Sequence, residues 1–278
     1  MCKMFKTCDE FAEMYDLKFN ADKSKYLTFC PYGKRKIGSE VAVFMIGSNV
    51  IEEVDKWTHL GHIINKKLSD DDDIMDRRNS LVGQINNFLC NFSKLDSSVK
   101  NELYKVYCSS LYGCELWDLN NVIIEKCCVE WRKGARRVWK LPRDAKSDIV
   151  YCIADVTPTF DEICRRSLNF IVKRRNSDSQ LVRFIVNCGL EYSCMHFSVA
   201  RNAIFCSLRY GKSVDKFCDS HNDGRLFRQF YMSQISNEIK ALADNARELA
   251  LVRDEILFVP NSSVPRELLN LAISDLVT

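Results

Sequence analysis

Apolar residues at helical spacing open the chain. Phe5, Cys8, Phe11, Ala12 and Tyr15 recur every three or four positions and predict a helix over Met4–Leu17. From Tyr26 to Ile64 the pattern changes to short β-prone runs. Tyr26-Leu27-Thr28-Phe29 ends at Pro31-Tyr32-Gly33, Val41–Ile46 follows, and Gly47-Ser48-Asn49 supplies a turn before Val50–Trp57 and Leu60–Ile64. One helix and a few short strands predict a sheet that is incomplete on its N-terminal side.

Beyond Ser69 the period is helical throughout. Ile74, Leu81, Ile85, Phe88, Leu89 and Phe92 share one face, and Val99, Leu103, Val106 and Tyr107 begin the next helix. A third helix runs from about Val122 to Lys140 and stops at Leu141-Pro142. Thr157-Pro158 supplies an N-cap and a first helical position, with Asp161 and Glu162 in the first turn. Further helices are predicted at Ser179–Asn187, Ser198–Tyr210, Arg225–Ala250 and Pro265–Leu276. The expected fold is therefore α+β at the start and all-α in the second half.

Composition narrows the class. The 278 residues are 46% hydrophobic and 28% charged, which suits a globular chain of about two domains. The longest uncharged apolar stretch, Val41–Ile51, is about half of the ~20 residues that a membrane helix needs. Met1–Asp16 carries Lys3, Lys6, Asp9, Glu10, Glu13 and Asp16 and reads as no signal peptide, so an intracellular chain, cytoplasmic or nuclear, is expected. The 14 cysteines then read as reduced, small core hydrophobes, scattered over helical apolar positions with no C-x-x-C pair.

Net charge is only +3, and its distribution is more telling. Arg132, Lys133, Arg136, Arg137, Lys140, Arg143 and Lys146 crowd between Trp131 and Lys146 against Asp144 alone; Arg165, Arg166, Lys173, Arg174 and Arg175 form a second cluster. On the third helix Ile124, Cys128, Trp131, Ala135 and Val138 make a narrow apolar stripe, with Lys133, Arg136, Arg137 and Lys140 opposite. Cations one turn apart can follow a phosphate backbone.

Other constellations read as structure. Ser69 before Asp70-Asp71-Asp72-Asp73 is a helix N-cap with acids in the first turn, which favours the dipole and needs no metal. His59 and His62 flank Leu60-Gly61, and a strand-turn-strand reading keeps them off a common face. Cys188, Cys194, His196, Cys206, Cys218 and His221 fit no zinc spacing. No phosphate loop or nucleophile elbow is present.

The order of these pieces resembles the C-terminal part of the reverse transcriptase of a LINE-type, non-long-terminal-repeat retrotransposon, the jockey and chicken-repeat group above all. Phe19-Asn20-Ala21-Asp22-Lys23-Ser24-Lys25 before Tyr26–Phe29 resembles the family's palm segment of Asn, two variable residues, Lys and Ser. Trp57-Thr58-His59-Leu60-Gly61-His62 resembles its primer-grip turn, with His59 where the family usually has Phe or Tyr. Leu111-Tyr112-Gly113-Cys114-Glu115-Leu116-Trp117 resembles its Tyr-Gly-x-Glu-x-Trp stretch. Asp73-Ile74 with Arg77, Trp131–Arg137 with Leu141-Pro142, Arg166–Ile171, Glu248–Asp254 and Pro265–Thr278 complete the likeness, which covers nearly the whole chain.

The resemblance implies a partial palm at 1–66 with the grip turn, a helical thumb-like domain at 67–150 and an all-α region at 151–278. It implies that Lys23 lies near a nucleotide's phosphates, and that Trp57, His59, Leu60 and Gly61 support the primer end. Arg132, Lys133, Arg136, Arg137 and Lys140 would contact an RNA–DNA or DNA duplex without reading its sequence. The rest of the polymerase is a second implied partner; a membrane is not. In the family, aspartates of two earlier palm strands hold two magnesium ions for nucleotidyl transfer. The resemblance places those strands ahead of Met1, and so implies a chain with no cofactor, metal or catalytic residue of its own, inactive alone.

Overall fold

The chain divides into two units, Met1–Asp73 and Ile74–Thr278. The computed structural model describes residues 2–20, 23–29, 44–46, 49–109, 111–154, 156–192 and 197–211. The architecture is mixed α+β and mostly helical. The expected turns at Pro31-Tyr32-Gly33 and Gly47-Ser48, the strand start at Val41, and the helices at Arg225–Ala250 and Pro265–Leu276 lie outside the described residues. So do Ala21, Asp22, Cys194, His196, Cys218 and His221.

In the first unit α1 (Cys2–Met14) precedes a small sheet of β1 (Lys25–Tyr26), β2 (Phe44–Ile46) and β3 (Asn49–Glu53) in the order β1-β3-β2. β1 is parallel to β3, and β2 antiparallel to it. Only Ala12 of the predicted α1 stripe is buried; Phe5 and Cys8 are half-buried, while Phe11 and Tyr15 are exposed and lie ring against ring at 4.5 Å. Phe5 and Tyr26 both pack on Phe44, at 5.5 and 4.8 Å between ring centres.

β4 (Lys56–His59) and β5 (His62–Asn65) form a separate hairpin. Its loop is Leu60-Gly61, both at positive φ (48° and 78°), the left-handed pair that matches the twist of a two-residue hairpin. The expected strand over Leu60–Ile64 therefore starts two residues later, because the turn occupies its first two positions. The hairpin's end is tied to the next helix by buried Asn65. Its amide donates to the Ser69 carbonyl and the Asp72 carboxylate at 3.0 and 2.9 Å, and its oxygen accepts from the Lys67 and Ser69 N–H groups.

α2 (Asp71–Asn91) begins with the aspartates expected at its N-terminus and runs into the second unit. α3 (Ser97–Tyr107), α4 (Ile124–Trp139), α5 (Ser147–Ala154), α6 (Thr159–Arg175), α7 (Gln180–Glu191) and α8 (Ser198–Tyr210) follow. α6 starts at Thr159 with Pro158 as N-cap, one residue later than the sequence suggests, because Pro158 keeps an extended ψ of 142°. The expected boundary at residue 150 falls inside α5.

Two cores lie side by side in this unit, and α4 contributes to both. Ile124, Cys127 and Cys128 pack with Trp117, Ile163, Cys164, Leu168 and Cys206. Further along α4, Trp131, Ala135, Val138 and Trp139 pack with Leu81, Ile85, Phe88, Tyr104, Val150 and Tyr151. The apolar stripe of α4 is thus buried over its whole length. α3 behaves differently: Val99, Val106 and Tyr107 are exposed, while Lys100, Asn101 and Tyr104 are buried. Hydrogen bonds explain the inversion. Asn101 donates to the Ala154 carbonyl at 2.9 Å and accepts from the Trp139 indole at 3.1 Å, and the Tyr104 hydroxyl donates to the Trp131 carbonyl at 2.8 Å.

Candidate nucleic-acid interface

The basic helix α4 splits its cations into two groups. Arg132 is held by Glu125 at 2.5 Å and lies 3.4 Å from the Tyr151 hydroxyl; Lys133 pairs with Glu130 at 3.0 Å, which also takes Arg78 at 2.8 Å. Burial acts to lower the Arg132 guanidinium's pKa, but the bonds to Glu125 and Tyr151 outweigh it and hold the group firmly charged. These two cations are spent on intramolecular pairs, a consequence of Glu125 and Glu130 lying one or two turns away on the same helix.

Arg136 turns its guanidinium back on the chain. Its Nε and Nη2 both donate to the Ala145 carbonyl, at 3.1 and 2.6 Å, and fasten the 141–146 loop to the end of α4. Burial, and then the neighbouring charge of Arg132, push the Arg136 pKa down. The turn into that loop is made by Lys140, in the left-handed region at φ 56°, with the Leu141 N–H returning to the Arg136 carbonyl at 2.9 Å. Arg137 is exposed and donates to the neutral Asn86 side chain at 2.9 Å.

The result is a compact basic surface that differs from the predicted one. Arg137, Lys140, Arg143 and Lys146 are exposed, and among the described residues none of the four has an ion pair. Asp144 is the acidic residue within the loop. Arg143 and Lys146 were visible in the sequence cluster, but only the Arg136 clamp shows why they belong with the helix end. Of the second cluster, Arg165 and Arg166 both bind Glu162, at 2.6 and 2.9 Å, while Lys173 and Arg174 stay exposed. Burial would raise the Glu162 carboxyl, yet the two arginines hold it below its ordinary value.

No family model, curated protein or solved structure matches this chain.

The Leu111–Trp117 stretch is built as an anchor. Gly113 stands at φ 80° before a 3₁₀ turn over Cys114–Leu116, and Cys114 and Trp117 are fully buried. Arg166 donates to the Ser109 and Leu111 carbonyls at 3.1 and 3.5 Å. From α8, Asn202 donates to the Trp117 carbonyl and the Ser167 hydroxyl at 2.8 and 3.1 Å and accepts from the Leu119 N–H at 2.9 Å. Tyr112 is exposed beneath the Arg77 guanidinium, 5.4 Å from its ring centre.

In the first unit Lys23 is exposed, and its own N–H donates to the Asn20 side chain at 3.1 Å. Trp57 is half-buried and His59 exposed. His59 and His62 are direct cross-strand partners, so the hairpin register places them on one face, with Trp57 and Ile64 next along it. The expectation that the histidines lie on different faces fails because a two-residue turn pairs i with i+3. The half-buried His62 places its Nδ1 3.0 Å from the buried Asp73 carboxylate without making a hydrogen bond to it, and Asp73 accepts the Ile63 N–H at 2.9 Å. Asp73 is thus an anchor that the run of four aspartates concealed. Leu60 is 80% exposed at the turn tip, an apolar side chain in a conformation that suits Gly or Asn.

The described cysteines are free, and most are buried. Burial pushes the Cys108 and Cys114 thiols up to about 12, which leaves them as core packing rather than nucleophiles. Among the described residues no group of three His, Cys, Asp or Glu could hold a metal, and no helix is long and apolar enough to cross a membrane.

Proposed function

We propose that this chain is a sequence-tolerant nucleic-acid-binding element, corresponding to the palm end, thumb and C-terminal region of a LINE-type RNA-directed DNA polymerase. The observation that carries the reading is the exposed set Arg137, Lys140, Arg143 and Lys146, locked into one surface by the Arg136 clamp and free of ion pairs among the described residues. Such a surface suits a phosphate backbone and not base edges, so it positions a duplex without selecting its sequence. The Leu60 tip is the second support. An exposed apolar residue kept in a strained turn is costly to the fold, which fits a side chain retained for contact with a primer end. In this reading Lys23, Trp57, His59, Leu60 and Gly61 have positioning roles and no chemical step of their own.

The ion-paired state of Arg132, Lys133, Arg165 and Arg166 favours a second reading, a non-catalytic helical interaction protein whose charges serve the fold. Titrating a labelled RNA–DNA primer–template with two variants separates them. The exchange of Arg137, Lys140, Arg143 and Lys146 for Ala should abolish most of the affinity, whereas Lys133→Ala should leave it nearly unchanged. Equal, unaltered binding by both variants would support the interaction protein.

A further inference from the structure

The tetrapeptide Arg-Arg-Asn-Ser occurs twice in the chain, at Arg77–Ser80 and at Arg174–Ser177. Two cations placed two and three residues ahead of a hydroxyl form a pattern that an acidic cleft can grip, because each guanidinium offers a planar fork to a carboxylate. The two copies are identical as sequence, and the fold separates them.

The first copy lies within α2. Ser80 is exposed, but it stands in the middle of this 21-residue helix. Arg78 is held by Glu130 at 2.8 Å, and Arg77 lies over the Tyr112 ring at 5.4 Å. The next residue, Leu81, is buried, as is Ile85 one turn on. Drawing this segment out into an extended strand would unwind α2 and empty part of a core. The second copy straddles the end of α6. Arg174 and Arg175 close that helix, Asn176 is its C-cap, and Ser177 stands in the short connection to α7, whose N-cap is Ser179. Arg174 is exposed, rests on the Phe170 ring at 5.2 Å and makes no ion pair among the described residues. Ser177 is half-buried; its hydroxyl accepts the Ser179 N–H at 3.3 Å, and its own N–H donates to the Arg174 carbonyl at 3.2 Å. None of the residues from Lys173 to Ser179 is buried, so opening the last turn of α6 frees the tetrapeptide without drawing on the core. Helix ends and their connections open at the lowest cost.

We propose that Ser177 is a phosphorylation site for an arginine-directed serine protein kinase, which reads Arg174 and Arg175, and that Ser80 is not modified in the folded chain. In the reaction the Ser177 Oγ attacks the γ-phosphorus of ATP. The new O–P bond forms as the bond to the β-phosphate oxygen breaks, ADP leaves, and the hydroxyl proton passes to the kinase's catalytic aspartate. The product sets roughly two negative charges beside Lys173, Arg174 and Arg175 and just ahead of the α7 N-terminus, where the helix dipole favours an anion.

Incubation of the full chain with the catalytic subunit of cyclic-AMP-dependent protein kinase and ATP tests this, with the modified residues mapped by mass spectrometry. The expected result is phosphate on Ser177 and none on Ser80. Ser177→Ala should abolish the signal at that position, and Ser80→Ala should leave its rate unchanged. Arg174→Ala should slow it about tenfold or more, since a charge-assisted pair with the kinase is lost. No phosphate on Ser177, phosphate on Ser80 at a comparable rate, or a rate at Ser177 indifferent to Arg174→Ala would each overturn the proposal.

Discussion

Gly134 faces the Tyr104 hydroxyl, which reaches past it to the Trp131 carbonyl at 2.8 Å, and a Cβ at this position would also come within 2.9 Å of Ile85. Gly134→Ala should therefore destabilise the protein by about 1–3 kcal/mol despite the better helix propensity of alanine, because the added carbon must displace a hydrogen-bonded ring from a filled core. Urea denaturation at neutral pH measures this, and a stabilised variant would contradict the packing described. Lys140 separates structure from function in one residue. As the left-handed cap of α4, its replacement by Gly should raise stability by about 0.5–1 kcal/mol, since glycine has no Cβ penalty there. The same variant should bind a primer–template more weakly, because a phosphate contact is lost. Parallel changes in stability and affinity would argue that the cation serves the helix alone. At this scale the sequence was only partly legible. The apolar stripe of α4 could be read because burial there follows helical spacing, whereas Asn202, Asn101 and Asp73 could not, because their partners lie in other elements and include backbone N–H and carbonyl groups that no pattern encodes.

Among the elements, α4 and α6 each answer their own cations with an acid nearby: Glu125 and Glu130 for Arg132 and Lys133, Glu162 for Arg165 and Arg166. Burial tends to raise the Glu130 and Glu162 carboxyls, but the bonds from Lys133 and Arg78, and from Arg165 and Arg166, bring both below the ordinary 4.5. A carboxylate depressed in this way adds stability above its unfolded value and loses it as the pH falls through the folded one. Stability should thus drop on acidification below about 4.5, and the deficit of Glu162→Gln relative to the parent chain should shrink over the same range. Urea midpoints from pH 7 to pH 3 check this; a deficit that stayed constant would remove the Glu162 pairs from the account. Helix positions were legible from periodicity, including the acidic start of α2. The face of α3 was not, because three hydrogen-bonding groups recruit its polar side inward. The β-prone run starts the second hairpin strand two residues early, at Leu60, since a leucine at positive φ carries no turn signal.

Across the whole molecule, the charge imbalance seen in the sequence survives in altered form. Folding occupies three of the five predicted phosphate contacts, Arg132 and Lys133 in ion pairs and Arg136 in a loop clamp, and brings Arg143 and Lys146 to the helix end through that clamp. Linear spacing reveals a basic face but not which of its members an intramolecular acid will neutralise. The most direct test of the account is the salt dependence of binding to a labelled RNA–DNA primer–template, followed by fluorescence anisotropy for the parent chain and for the variant with Arg137, Lys140, Arg143 and Lys146 all changed to Ala. The account predicts that log K falls steeply with log salt for the parent chain, and that the slope flattens by up to ~0.9 for each cation removed, while Arg132→Ala and Lys133→Ala leave it unchanged. A slope that the fourfold variant shares with its parent, in protein that unfolds cooperatively, would contradict the interface.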